Sequence, residues 1–205
     1  MKQPGALATV IFTDIVGFKA LKERDEGQAM GLFHKNELIQ KNAIHQYHGE
    51  FLKNIDDEIT ASFKSPLHAV QCAIAIQQSA IKAGYFLRIG IHVGEFRYEN
   101  DEPRGESVRL AVQLQKIAAK GTILISEQAY HSVKNNKKIA LEEWPGTILE
   151  SKKGPLKVFK INYPDSSHEI SRIQVKTGKK AWLPFMILGI VLVIFLIIRF
   201  FIKYR

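Results

Sequence analysis

Residues 8–18 read Ala-Thr-Val-Ile-Phe-Thr-Asp-Ile-Val-Gly-Phe, and this stretch decides the fold of the 205-residue chain. The apolar run Leu7–Phe12, which includes Thr and Val, predicts a buried strand. Asp14 closes that strand, and Gly17 follows it as a turn residue. The chain therefore begins with a strand that carries an acidic side chain at its end.

Hydrophobic periodicity alternates between strand and helix along the rest of the chain. Residues 50–63 alternate as two strands around Asp56-Asp57, the pattern of a hairpin. Helices are predicted over 28–47, from Pro66 onward, over 107–119 and over 126–133. Strands are predicted over 87–98, over 122–125 and as several short pieces within 139–161, and a polar loop is predicted at 100–105. The order β-α-β-β-α-β predicts an α+β fold, a ferredoxin-like core with added strands and helices.

The C-terminal segment has a different composition. No charged side chain occurs over residues 181–198, and a helix needs roughly 20 mainly apolar residues to cross a bilayer. Arg199 is close enough to the end to reach the headgroups, and Trp182 and Tyr204 suit the two interfaces. We predict a folded domain over 1–162, a basic linker over 163–180 and a single transmembrane helix over 181–203, in contact with membrane lipid.

Charge and targeting signals bear on compartment and partners. Much of the net charge of +9 lies in residues 176–180 and at the C-terminus, where it would meet anionic headgroups. The basic residues are not interleaved with aromatic ones, so nucleic acid is not an expected partner. Residues 1–12 lack the features of a signal peptide, and the single Cys72 suits a reducing compartment. The expectation is a C-terminally anchored membrane protein with a cytosolic domain.

Two acidic positions are candidates for a functional site. Asp14 ends the first strand, and Asp57 lies at the tip of the hairpin. These strands are neighbours in a ferredoxin-like sheet, so both carboxylates can meet at one point. Such a pair suits Mg²⁺ or Mn²⁺, which take one or two carboxylates together with substrate phosphates. The alternative is that both are simple turn residues, which are common at strand ends.

Five motifs, in order, resemble the catalytic domain of class III nucleotidyl cyclases, the adenylate and guanylate cyclases. The first is the opening stretch 8–18. The others are 49–57 (Gly-Glu-Phe-Leu-Lys-Asn-Ile-Asp-Asp), 87–95 (Leu-Arg-Ile-Gly-Ile-His-Val-Gly-Glu), 121–127 (Gly-Thr-Ile-Leu-Ile-Ser-Glu) and 154–159 (Gly-Pro-Leu-Lys-Val-Phe). The resemblance covers nearly all of the chain before the linker, and it implies the class III cyclase fold.

The resemblance also implies a reaction. A nucleoside triphosphate would be converted to its 3′,5′-cyclic nucleotide and pyrophosphate, with two Mg²⁺ or Mn²⁺ ions per site. By motif match, Asp14 and Asp57 are the metal ligands, and the carbonyl of Ile15 completes one coordination sphere. Gly17 and Phe18 belong to the stretch whose backbone would cradle the phosphates.

Three further positions match substrate-binding residues of the family. Lys53 matches the Lys that reads adenine, and Glu102, three residues before Gly105, stands where adenylate cyclases carry Asp or Thr. Asp101 is a second candidate for that acid. Lys153, with Lys152 beside it, matches the Lys that binds the triphosphate. The resemblance therefore favours ATP as substrate.

The helix after Gly105 departs from the family pattern. Arg109 stands in place of the Asn that orients the ribose, and Gln113 stands in place of the Arg that stabilises the transition state. Because the two positions are one helical turn apart, one interpretation is that the Arg and the amide have exchanged roles. The departure leaves two alternatives open: a weak or inactive homology module that binds nucleotide or pairs with an active partner, and a cyclase for GTP, CTP or UTP.

The family builds each site across a homodimer interface. The resemblance thus implies metal ligands from one subunit, and Lys53, Glu102, Arg109 and Lys153 from its partner. Asp56 occupies a position where the family usually has Gly, and Asp tolerates a left-handed backbone better than most residues. A monomer would be inactive on this interpretation.

Overall fold

The computed structural model describes residues 6–99, 102–152 and 154–163. Its strands are β1 (Ala6–Ile15), β2 (Glu50–Ile55), β3 (Glu58–Phe63), β4 (Leu87–Glu99), β5 (Glu102–Arg104), β6 (Ile123–Ser126), β7 (Ala140–Ser151) and β8 (Gly154–Asn162). Its helices are α1 (Phe18–Arg24), α2 (Glu26–Gln46), α3 (Pro66–Lys82), α4 (Glu106–Ile117) and α5 (Glu127–Val133).

The strands form one sheet in the order β2-β3-β1-β4-β6-β8-β7, with β5 paired to β4. β1 lies between β3 and β4 and is antiparallel to both, and β2 is antiparallel to β3. This is the strand order of a βαββαβ unit, so the predicted ferredoxin-like core is confirmed. The remaining strands extend the sheet on one side, where β6 runs parallel to β4.

Helices cover both faces of the sheet. On one face α3 buries Ala69, Val70 and Ile76 in a core cluster that also contains Ile11 and Ile89 of the central strands. On the other face α4 packs Leu110 and Leu114 against Leu124 and Val158, which builds a second cluster. The apolar positions at helical spacing in α4 therefore point inward and leave the opposite side of the helix free for polar side chains.

α4 lies unusually close to the sheet because β4 carries a glycine beneath it. A Cβ on Gly90 would lie 2.1 Å from the carbonyl oxygen of Ala111 and 2.5 Å from the amide nitrogen of Gln115. Only a residue without a side chain permits this backbone approach. The position and tilt of α4 are thus fixed by its contact with β4.

The helix predicted over residues 28–47 is present as α2, and a short helix that was not predicted, α1, precedes it. α1 is only seven residues long, which is too short for its periodicity to be recognised. Asp25 adopts an extended backbone between the helices, and its side chain accepts a hydrogen bond from the amide of Gln28. This N-cap separates α1 from α2 and starts the longer helix at Glu26.

Two further predictions of local structure were wrong. The polar loop predicted over 100–105 contains β5, which pairs with Arg97–Glu99 of β4. The several short strands predicted within 139–161 are two long ones, β7 and β8. Pro145-Gly146 does not end a strand, because it lies inside β7 where the pairing register shifts between Glu143 and Ile148. A bulge therefore accommodates the Pro that the sequence pattern assigned to a turn.

Among the described residues, no helix has both the length and the hydropathy needed to cross a membrane. The predicted span at 181–203 and the linker from residue 164 onward lie outside the described residues. Both stay predictions.

Candidate functional site

The two candidate carboxylates lie at one edge of the sheet. Asp14 is the second-to-last residue of β1, and Asp57 is in the two-residue turn between β2 and β3. β1 pairs with β3 up to Thr13 opposite Ile59, which brings the turn beside the end of β1. The amide of Ile15 donates a hydrogen bond to Oδ2 of Asp57 at 3.0 Å. The tertiary fold therefore joins these positions as the sequence predicted.

The turn that carries Asp57 depends on its neighbour. Asp56 has a φ of 49°, in the left-handed region, which is the conformation expected for an Asp in a position usually held by Gly. Its carboxylate lies 3.5 Å from Nζ of Lys22 in α1. Asp56, Asp57, Lys22 and the buried Phe18 line a cleft of about 530 Å³ beside the first turn of α1.

Electrostatics at this edge favour a bound cation. The pKa of Asp57 is raised, mainly because the carboxyl is half-buried, and the negative charges of Asp14 and Asp56 raise it further. The hydrogen bond from the Ile15 amide acts in the opposite direction. Within the described part of the chain, no group of three or more His, Cys, Asp and Glu side chains is arranged to hold a metal ion. The donors near this point are two carboxylates, of which that of Asp14 is also paired with Arg88, and backbone carbonyl groups. Such oxygen donors suit Mg²⁺ when substrate phosphates complete the coordination.

Arg88 is a further site residue that the sequence interpretation did not select. It lies directly opposite Asp14 in the antiparallel pairing of β1 and β4. Its Nε donates to Oδ1 of Asp14 at 2.9 Å, and its Nη2 pairs with Oδ2, so the contact is bidentate. The hydrogen bond with Asp14 raises the pKa of Arg88. The Arg in the third motif was visible, but its partner follows only from the strand register.

Lys53 and Glu102 form a second group, on β2 and β5. Nζ of Lys53 donates to Oε1 of Glu102 at 2.8 Å, and Arg104 pairs with Oε2 of the same carboxylate. The hydrogen bond from Lys53 is the main cause that lowers the pKa of Glu102. The three side chains line a cleft of about 160 Å³ together with Phe12 and Val108 among others. Asp101, the other candidate acid, lies outside the described residues.

The altered pair on α4 is in contact. Nη1 of Arg109 lies 3.3 Å from Oε1 of Gln113, and both terminal nitrogens of Arg109 donate to the carbonyl of Glu150 at 3.2 Å. Glu106 is 3.5 Å from the guanidinium and also accepts a hydrogen bond from the amide of Lys152. Arg109 therefore links α4 to the end of β7. Lys153, the predicted triphosphate ligand, lies outside the described residues.

The opening stretch ends in a turn of the expected kind. Gly17 has a φ of 80° and precedes α1 without a side-chain cap, so a residue with a Cβ would be strained there. Phe18 is buried and fixes the first residue of the helix in the core. The backbone of this turn lies immediately after Ile15, whose amide holds Asp57.

The geometry just described belongs to a known family. The model of the adenylate and guanylate cyclase catalytic domain matches residues 1–162. The chain is a member of that family. Among curated proteins it is 30% identical to a putative adenylate cyclase 3 of Rhizobium meliloti, over 63% of this chain and 26% of that protein. The cyclase domain thus spans about a quarter of the length of this relative.

Solved structures of cyclases share the fold of this domain. An adenylate/guanylate cyclase/hydrolase from Silicibacter pomeroyi has a TM-score of 0.68 at 24% identity, over 79% of this chain and 99% of that one. The guanylate cyclase domain of RhGC from Catenaria anguillulae, in complex with GTP, has a TM-score of 0.67 at 18% identity, over 78% and 98%. At these identities the likeness is one of fold, and it confirms the predicted cyclase architecture.

Proposed function

We propose that this domain is a nucleotidyl cyclase, a phosphorus-oxygen lyase, that converts a nucleoside triphosphate to the 3′,5′-cyclic nucleotide and pyrophosphate. The 3′-oxygen bonds to the α-phosphorus, the bond from that phosphorus to the bridging oxygen breaks, and the hydroxyl proton leaves. The observation that carries the proposal is the pair Asp14 and Asp57, which the fold places together at one sheet edge.

The carboxylates of Asp14 and Asp57, with the Ile15 carbonyl, would hold two Mg²⁺ or Mn²⁺ ions. Such ions supply Lewis acidity and lower the pKa of the attacking hydroxyl. The chain itself orients the ligands: the Ile15 amide fixes Asp57, and the bidentate contact with Arg88 aligns Asp14. The backbone of Gly17 and Phe18 lies next to this pair and would face the phosphates.

ATP is the proposed substrate, because Lys53 and Glu102 supply a donor and an acceptor at one cleft. Glu102 can accept from the amino group of adenine, and Lys53 can donate to a ring nitrogen. The contact at 2.8 Å supports a shared role for the two side chains. Arg104 competes for the same carboxylate and adds a donor, which makes a base with a carbonyl group the second candidate.

The site is proposed to form between two copies of the chain. Asp56 and Asp57 line one cleft, whereas Lys53 and Glu102 line another. A homodimer would place the metal ligands of one subunit against Lys53, Glu102, Arg109 and Lys153 of the other. Residues 181–203 are proposed to anchor each copy in a membrane, with the cyclase domain in the cytosol and residues 163–180 as the linker. Confinement to a plane would raise the effective concentration of the two halves.

A second candidate function is nucleotide binding without turnover. It is favoured by one observation: the guanidinium of Arg109 is engaged by the carbonyl of Glu150 rather than free in a cleft. On this account the domain binds a nucleotide or pairs with an active cyclase.

One assay separates the candidates. The purified full chain is incubated with Mn²⁺ and, in turn, ATP, GTP, CTP and UTP, and cyclic product is measured by chromatography. We expect cyclic AMP from the natural chain and none from Asp57→Ala, while Asp25→Ala, which changes an exposed acid at a helix cap, keeps activity. Nucleotide binding without any cyclic product would overturn the cyclase proposal and support the binding module.

A further inference from the structure

A large cleft on the domain is lined by apolar, neutral and basic residues. It measures about 640 Å³ and lies between α1, α2 and the turn that joins α3 to β4. Arg24, Lys35 and Lys120 supply its charged groups, and none of the described residues that line it is Asp or Glu. The metal-ligand cleft, by contrast, contains four acidic side chains.

Neutral groups hold these three cations in place. Nζ of Lys35 donates to the carbonyl of Ala83 at 3.2 Å, and Nζ of Lys120 lies 4.2 Å from the centre of the Phe86 ring. Arg24 donates to the side-chain oxygen of Gln28 at 3.4 Å. None of these partners carries a negative charge, and within the described residues no salt bridge involves Arg24, Lys35 or Lys120.

A second cleft of about 300 Å³ continues this surface. It shares Phe86 and Lys120 with the first, adds Lys160 from β8, and again has no acidic residue among its described lining. The hydroxyl of Tyr163, the last described residue, donates to the carbonyl of Gly121 in the wall of this cleft. We call the surface formed by Arg24, Lys35, Lys120 and Lys160 the exit face, because the chain leaves the domain there.

We propose that the exit face docks onto anionic lipid headgroups. Charge complementarity is the first argument, since basic groups on a protein are attracted to the negative cytoplasmic leaflet. The second is sequence: residues 164–180 follow directly and lead to the uncharged run at 181–198. This segment has two acidic residues near its start, Asp165 and Glu169, and then only basic ones, Arg172, Lys176, Lys179 and Lys180. A random-coil chain of 17 residues has a root-mean-square span of roughly 20–25 Å. A membrane segment that begins at residue 181 would therefore hold a bilayer within reach of the domain. Phe86, half-buried between the clefts, offers an aromatic edge at the interface.

The inference rests on the proposed membrane segment and not on cyclase activity. The full chain is reconstituted in nanodiscs of phosphatidylcholine alone or with added phosphatidylserine, and amide hydrogen exchange is followed by mass spectrometry. Docking predicts slower exchange over residues 82–86 and 119–122 in the anionic discs only, and loss of that protection at high salt.

Lys120→Glu tests the charge, because Lys120 belongs to both clefts. Lys64→Glu is the matched control: it changes net charge equally but lies just after β3, next to Phe63, which pairs with Thr9 at the opposite end of β1. We expect Lys120→Glu to weaken the protection roughly fivefold or more, and Lys64→Glu to leave it unchanged.

Two results would overturn the docking. If the chain is inserted and its amide hydrogen exchange is equal in neutral and anionic discs, the docking proposal is wrong while the membrane segment stands. Protection produced in neutral discs by inorganic phosphate or a nucleotide would show that the clefts bind a small soluble anion instead. A chain that does not co-elute with nanodiscs would defeat the membrane segment itself and leave the cyclase proposal untouched.

Discussion

Replacing Arg109 by Ala tests whether this side chain supplies the positive charge that the altered helix otherwise lacks. The side chain of Arg109 is 42% exposed, and it forms an ion pair with Glu106, which lies three residues earlier in the same helix. An exposed pair of this kind contributes about 0.5 kcal/mol, and its hydrogen bonds to the Glu150 carbonyl add about 1 kcal/mol. The folding cost of the substitution is therefore small against the ~5–15 kcal/mol that holds a domain together.

The expected effect on turnover is much larger. A group that stabilises developing charge on a transferring phosphate is typically worth ~10²–10³-fold in kcat. If Arg109 performs this task, Arg109→Ala lowers kcat by that factor and leaves the melting temperature within a few degrees. Arg109→Lys keeps a charge and loses less, and Gln113→Ala, which removes no charge, loses less than either.

The assay is steady-state formation of cyclic nucleotide by the full chain with Mn²⁺, alongside thermal unfolding of each variant. A loss below threefold in Arg109→Ala at saturating nucleotide would refute the reasoning. So would activity above the natural level in the double variant Arg109→Asn with Gln113→Arg, because that result means the natural helix is merely degenerate. Activity below the natural level in the double variant supports the exchange of roles.

Three other perturbations have defined outcomes. Burial lowers the pKa of His92 to about 4, below the ~6.5 of an unfolded chain, so its contribution to stability is complete above pH 6.5 and is lost as pH falls toward 4, by about 3 kcal/mol in all. Chemical denaturation should therefore show that the free energy of unfolding of the natural chain falls more steeply as pH is lowered over this range than that of His92→Gln, and an equal pH dependence in the two proteins would contradict the prediction. Gly90→Ala should destabilise by about 3 kcal/mol in the same measurement because its Cβ meets the backbone of α4, whereas Gly31→Ala, with open space around it in α2, should be neutral or stabilising. Lys53→Glu should lower the ratio of kcat/KM for ATP to that for GTP by about tenfold or more. An unchanged ratio would mean that Lys53 does not select the base.

The architecture could be predicted because it depends on local patterns. The strand before Asp14, the hairpin around Asp57 and the helix after Pro66 each carry their own periodicity or turn signal. The errors fell where such signals are weak. α1 is too short to show a period, and β5 is a three-residue strand held by its pairing with β4. Pro145 stops a regular strand but not a bulged one, and only the partner strand decides between these.

The site could be predicted in part, for a related reason. Asp14 and Asp57 were identified because the strand order alone brings strand ends together. Arg88 was not, because its importance comes from standing opposite Asp14 in a register that the sequence does not state. The same holds for Arg104, which shares Glu102 with Lys53 across a hairpin. Pairwise contacts between distant strands carry this information, and a single sequence does not.

The structure also bears on how one helix can exchange two roles without moving. α4 packs closely on the sheet because Gly90 has no side chain, and a Cβ there would overlap the backbone of the helix. With the helix in this position, an Arg at position 109 can bring its charge to the region of position 113 only by extending its side chain along the helix. Positions 109 and 113 differ by ~6 Å of helix rise, yet the Arg109 guanidinium lies 3.3 Å from the Gln113 amide oxygen. The cation thus lies beside the residue that takes the place of Arg in the family pattern. In the proposed exchange Arg109 would stabilise charge on the phosphate and Gln113 would bind the ribose, which requires a change of two side chains and no change in the position of the helix.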